Sequence, residues 1–360
     1  MTPTQEESPN ATPQTGGKSV TFVELFFDLV FVFSLTQVTG VVAHHLDWTG
    51  LLQAVLVFWL IWWAWTQFTW ALNAVDTRQP VVRITVLVGT AMAFLMGAGV
   101  DEAFDETGLW FAIPYALVKM TGLSFIVRQA FSGQNRAQLF QFAGISLASI
   151  SLVVIGAALP LPWRYALWLT AIVVDLVSAR VATSSRSWRL DGRSWNMDGG
   201  HFAERHALFV ILVLGESLVA AALVTNSEAR SLPLLLVAIG TVVVTCLLWW
   251  NYFGWFQAAA GKLLKATAEP GRTQMASDAY SMFHFPLVAG VIAIAAVFEE
   301  MLLEPFETLE EPAVVAIAIG VSLFVGFTAL AWARIARRTL WPRFLVLVVL
   351  WIGLAVLASA

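Results

Sequence analysis

The sequence predicts an all-α polytopic integral membrane protein with eleven candidate transmembrane helices, and three observations predict it. Apolar runs of about 20 residues, enough to cross a bilayer core, recur between residues 20 and 358 of the 360-residue chain. Hydrophobic residues make up 59% of the chain and charged residues only 12%, where a soluble domain carries about 25% charge. The mean hydropathy is +0.76. Lys and Arg collect in alternate loops, the pattern that orients membrane helices.

The candidate spans follow in order. The first, 20–43, opens with VELFFDLVFVF (23–33), and 51–72 carries the Trp62-Trp63 pair. The third, 81–100, runs out at Val100-Asp101-Glu102, and 109–128 holds Lys119 near its centre. A tight turn, Leu-Pro-Leu-Pro-Trp (159–163), divides 138–159 from 163–181. The seventh, 202–224, begins Phe202-Ala-Glu204, and 232–253 contains the lone Cys246 and ends near Trp249-Trp250. His284 beside Pro286 opens most of 281–298, which runs out at Glu299-Glu300; 313–333 and 341–358 flank a final basic loop. One cysteine excludes a disulfide framework and a cysteine metal cluster. Residues 1–19 are polar and rich in Thr, Pro, Gln and Gly, which predicts a disordered tail before a single membrane domain, 20–360.

With the N-terminus placed in the cytoplasm, seventeen of the twenty Lys and Arg fall on the cytoplasmic side. Only Arg164 and Arg230 fall outside, and Lys119 lies within a span. Acids lean outward, with Asp101, Glu102, Asp105 and Glu106 in one loop and Glu299, Glu300, Glu304, Glu307, Glu310 and Glu311 in another. The split predicts a multi-pass protein of the bacterial inner membrane with a cytoplasmic N-terminus. Similar starts and ends of spans 1 and 7, 2 and 8, and 3 and 9 suggest two parallel five-helix halves, 20–159 and 202–358, joined by the sixth span. The alternative is that aromatic and acidic residues gather at helix ends in any membrane protein.

Several stretches together resemble one known family, the bacterial low temperature requirement A proteins. They are Glu24-Leu-Phe-Phe-Asp28-Leu-Val-Phe-Val-Phe33, Trp62-Trp63-Ala-Trp65, Glu204-Arg205-His206-Ala-Leu-Phe-Val-Ile-Leu-Val-Leu-Gly215-Glu216-Ser217, and His284-Phe-Pro286-Leu with Glu299 downstream. Ala207 departs from the pattern, at a position where the family favours glycine. The resemblance implies an integral membrane protein named for a cold-growth phenotype. It implies no reaction.

An ionisable group at the centre of a membrane helix costs about 2.5–3.5 kcal/mol unless paired or wetted, so such groups mark function by default. At about 100° per residue, Glu24 and Asp28 share one stripe of the first span, and His201, Arg205 and Glu216 share one of the seventh. The spacing predicts a proton, ion or substrate path through Asp28, Lys119, Glu216 and Asp175. It also predicts a buried ion-pair network of Glu24, Glu204, Arg205 and His206, with Glu24 paired to Arg205 near the cytoplasmic face. The competing reading makes every one of these charges a structural pair.

His201 and His206 lie about 140° apart on a helix and cannot chelate one ion. No nucleophile elbow or phosphate-binding glycine loop is present, so neither an enzyme nor a metal or other cofactor is expected. The Trp59–Trp70 cluster reads as an aromatic belt at the interface in preference to a cation cage. The basic loop between spans 6 and 7 predicts contact with anionic lipids, and nothing in it specifies a nucleic acid. The expected function is a proton-linked transporter or ion conductor acting on an unidentified small solute or ion. The alternative is a non-transport membrane protein of cold or stress adaptation.

Overall fold

The computed structural model describes residues 18–44, 48–106, 108–131, 136–183, 197–227, 231–303, 306 and 311–359. Several sequence expectations lie outside them: most of the tail, the arginines at 186, 189 and 193, Arg230, and Glu304, Glu307 and Glu310. The described residues are helical, with no strand among them, in a polytopic membrane arrangement.

The first six helices are α1 (Phe22–His44), α2 (Trp48–Asn73), α3 (Pro80–Ala98), α4 (Leu109–Phe131), α5 (Arg136–Ala157) and α6 (Leu161–Thr183). Then come α7 (Gly199–Ser227), α8 (Leu232–Phe253), the short α9 (Phe256–Ala266) and α10 (Gly271–Ala276), α11 (His284–Leu303), α12 (Glu311–Ala336) and α13 (Trp341–Ser359). Eleven of these match the candidate spans. By length and composition nine stretches of the described residues can cross a membrane, one of them joining α8 to α9 and one running from 271 to 303. The apolar stretch of α13 is shorter, and α7, with Glu204, Arg205 and Glu216, is not among the nine.

The ninth span differs from its predicted limits. It starts at Gly271, and a π-helical turn (Ser277–Met282) interrupts it before α11. Pro286 explains the break, because it has no N–H to continue the ladder and its ring crowds the preceding turn. Side chains take up the freed carbonyls: His284 Nδ1 donates to Ala279 O at 2.8 Å, and the Trp62 indole donates to Ser281 O at 2.8 Å.

Buried α2 lies inside the bundle, with α1 and α4 against it. The centre is the junction of α1, α7 and α11, which pack on one another. Neighbour relations recur in the two halves. As α1 packs on α2 and α3, so α7 packs on α8 and α11; as α4 packs on α2, α3 and α5, so α12 packs on α8, α11 and α13. On the side where α3 ends, buried Arg164 staples the turns together, donating to the carbonyls of Ala103, Asp105, Ala157 and Leu159.

Candidate functional site

Four polar centres sit in or beside the helices, and the register of α1 against α7 places three of them. Both helices start at the same membrane face, here called the basic face. Glu24 faces His201, with Oε1 and Nε2 3.0 Å apart. One turn deeper Asp28 faces Arg205. The same offset sets Thr39 level with Glu216, and both line one cavity. The two helices therefore run parallel in fixed register.

The outermost centre closes the basic face. Glu24 reaches back to cap the start of α1 as in half of a capping box, the Thr21 N–H and hydroxyl donating to its Oε2 at 2.9 and 2.8 Å. Asp198 caps α7, its Oδ1 accepting from Gly200 N and His201 N at 2.8 and 3.0 Å. Asn73, the last residue of α2, donates to Asp198 O and His201 Nδ1 and accepts from Asp198 N. Lys18 lies over this lock, its amine donating to Leu72 O, Asn73 O and Val75 O and its backbone N–H to Asp198 Oδ2. Burial pushes the Lys18 amine below its ordinary value, although Glu24 pulls the other way. Burial alone would raise the Asp198 carboxyl, but N–H donors from His201, Lys18 and Gly200 outweigh it and hold it low.

A carboxyl held low when folded contributes stability above its unfolded pKa, about 3.9, and loses it as pH falls through the folded value. Asp198→Ala is therefore expected to cost about 0.5–2 kcal/mol at pH 7, with a gap to the native chain that narrows below about pH 4. Melting curves of both chains in detergent at pH 7 and pH 3 check this; a gap of equal size at both would reject it.

The second centre is Asp28 with Arg205. The Arg205 guanidinium grips both carboxylate oxygens, through Nη2 to Oδ1 and through Nε to Oδ2. The Trp65 indole donates to Oδ1 at 2.8 Å, and Arg205 also lies over the Trp65 ring. Both charged side chains are fully buried. The third centre is Lys119 with Asp175, where Nζ lies 3.1 Å from each carboxylate oxygen and both groups are buried. Ser149 and Trp63 stand against Asp175.

The fourth is a cavity between α1, α7 and α11, with about 350 Å³ of empty space including its open mouth. Its polar lining is Glu216, Glu299, Thr36, Thr39 and Ser217, above apolar Val32, Leu35, Val213, Val291 and Ile292. Glu216 stands about 26 Å along α7 at 1.5 Å per residue, so the cavity lies toward the acidic face. Thr36, Thr39 and Ser217 donate to Val32 O, Leu35 O and Val213 O within their own helices. The carboxylates and the free hydroxyl lone pairs thus offer the cavity only hydrogen-bond acceptors.

The structure corrects several expectations. Arg205 pairs with Asp28, and Glu24 meets His201 in its place. Glu204 is exposed, because it lies about 100° round α7 from inward Arg205. His206 is in no ion pair: its Nδ1 donates to Phe202 O at 2.9 Å, and its ring packs among Trp62, Trp65, Tyr280 and His284. The Trp59–Trp70 cluster is turned into the bundle more than toward an interface. Trp62 and Trp65 are buried, and Trp62, Trp65 and Trp70 donate to Ser281 O, Asp28 and Ser281 Oγ. A buried indole N–H needs an acceptor, and the interrupted helix and Asp28 supply them. The four residues of the predicted path are divided among separate centres, with Glu216 alone on the cavity.

Lys18, Asn73 and Asp198 join the site beyond the residues that the sequence marks. The Thr21-Phe-Val-Glu24 box and the Asp198-Gly-Gly-His201 start of α7 are capping signals legible in sequence. The three-carbonyl seat of Lys18 leaves no such signal.

No solved structure matches the chain. It is 31% identical over 307 residues to an uncharacterized protein of Rhizobium meliloti (strain 1021), covering 81% of this chain and 72% of that one. Residues 19–360 match the family described as bacterial low temperature requirement A protein, LtrA. The protein is a member of that family, a multi-pass membrane protein whose central seam joins α1, α7 and α11.

Proposed function

We propose that the protein moves protons or a small cation along the seam of α1, α7 and α11, taking them up at Glu216 and Glu299. The observation that carries this reading is the acceptor-only cavity: two carboxylates and three back-bonded hydroxyls favour a proton or another donor-bearing cation. No Lys or Arg lines it. Below it Val32 and Leu35 close the seam, and the neutral Asp28–Arg205 pair closes it again one turn deeper. The arrangement is that of a cavity open to one face and shut to the other. With the basic face cytoplasmic, by the positive-inside rule, the cavity faces outward.

The test uses purified protein in liposomes, with a pH-sensitive dye for protons and tracer sodium and potassium. Glu216→Gln and Glu299→Gln are each expected to lower the flux at least tenfold. Folded variants with unchanged flux would sink the proposal.

The complete pairing of Asp28 and Lys119 favours a second reading, a membrane protein whose buried charges are purely structural. On that reading native liposomes show no flux above protein-free ones with any of the three ions.

A further inference from the structure

We propose that the Lys119–Asp175 pair is a water-binding site, joined to the basic face by an inlet between α2 and α6 that Thr66, Gln67 and Ser178 line. It lies among α2, α4, α5 and α6, apart from the cavity of α1, α7 and α11, and does not depend on the reading given for that cavity. Three side-chain atoms carry the proposal. Thr66 Oγ1, Gln67 Oε1 and Ser178 Oγ are buried with no hydrogen-bond partner in the protein, their residues 2%, 4% and 3% exposed.

All three lie about one helical turn from residues of this centre. Trp63 stands against Asp175, and Thr66 and Gln67 lie one turn further along α2, within about 60° of it. The Gln67 amide donates to Lys119 O at 3.2 Å, which leaves its carbonyl oxygen over for another donor. Ser178 is one turn beyond Asp175 on α6. Both turns lead toward the basic face, where α2 ends at Asn73 and exposed Arg180 of α6 meets Asp278.

The two hydroxyls are also exceptions within their surroundings. Thr69 of α2, Thr121 of α4 and Thr170 of α6 each donate to the carbonyl four residues back. Thr66 and Ser178 have the same option and make no such bond, so they are free to serve another partner. One amide oxygen and two hydroxyls about a turn from a buried ammonium and carboxylate offer both donors and acceptors. Water satisfies such a mixed set, since a buried water makes about three bonds to otherwise unmatched polar groups. An anion or a metal ion would meet the wrong charge on one side.

Two measurements test this in liposome-reconstituted protein. The first uses the unaltered chain and radiolytic hydroxyl-radical footprinting, which oxidises side chains beside bound water. Trp63, 5% exposed, is expected to be oxidised at least fivefold faster than Trp168, which is also buried, at 0%, and bonded to Val153 O. The second uses Cys246→Ala chains carrying Ser178→Cys or Val177→Cys and a small hydrophilic methanethiosulfonate. A thiol at 178 is expected to react at least tenfold faster than one at 177, which faces outward from the bundle, because the reacting thiolate needs water. The proposal is overturned if Trp63 and Trp168 oxidise at equal rates, or if folded Ser178→Cys reacts no faster than Val177→Cys.

Discussion

Arg205→Ala is expected to destabilise the protein by about 3–5 kcal/mol, the cost of leaving one member of a buried ion pair alone. Asp28 would keep only the Trp65 indole, in a site closed to water. Arg205→Lys should fall between native and alanine, because one ammonium cannot reproduce the side-on grip through Nε and Nη2. Asp28→Leu with Arg205→Met is expected to recover most of the loss, since replacing both charges removes the desolvation cost along with the attraction. Denaturant unfolding of the four chains in one detergent measures all three steps. A single alanine variant within about 1 kcal/mol of native would mean that the pair contributes no more than a surface pair.

Gly290→Ala is expected to cost about 1–3 kcal/mol through overpacking between α11 and α12. A methyl at 290 would collide with Gly320 O and meet Phe324 N at 3.0 Å, both backbone atoms that only a shift of the helix can move. The reverse contact is also too close for a methyl, one at 320 lying 2.8 Å from Gly290 O. The sign is opposite to ordinary helix propensity, on which alanine gains about 1 kcal/mol over glycine. Gly240→Ala supplies the comparison, because a methyl there meets nothing within 4 Å. Melting of the two variants beside the native chain should shift in opposite directions. Equal shifts would show that α11 and α12 are not packed this closely.

Such contacts show where the sequence stops being legible. A glycine inside a span reads the same at 240 as at 290, and only the neighbouring helix separates them. Glu24, Asp28, His201 and Arg205 read as two inward stripes, and they are inward. Their pairing was not legible, because positions four residues apart lie within about 40° on a helix. Sliding α7 by one turn against α1 would keep both stripes facing and exchange the partners of Glu24. Glu216 was legible as a membrane acid, whereas its companion Glu299 read as part of an outer loop. Nothing local in either segment shows that α7 and α11 meet across α1.

The sequence by itself determined the class of protein, its eleven long helices and the inward faces of α1 and α7. Hydrocarbon thickness and the cost of bare charge act on each segment separately, so each segment records them. Only the tertiary structure decided the register, the separation of Asp28, Lys119 and Glu216 into three centres, and the acceptor-only cavity. Those features depend on axial offsets between helices, which residues far apart in the chain settle together by packing.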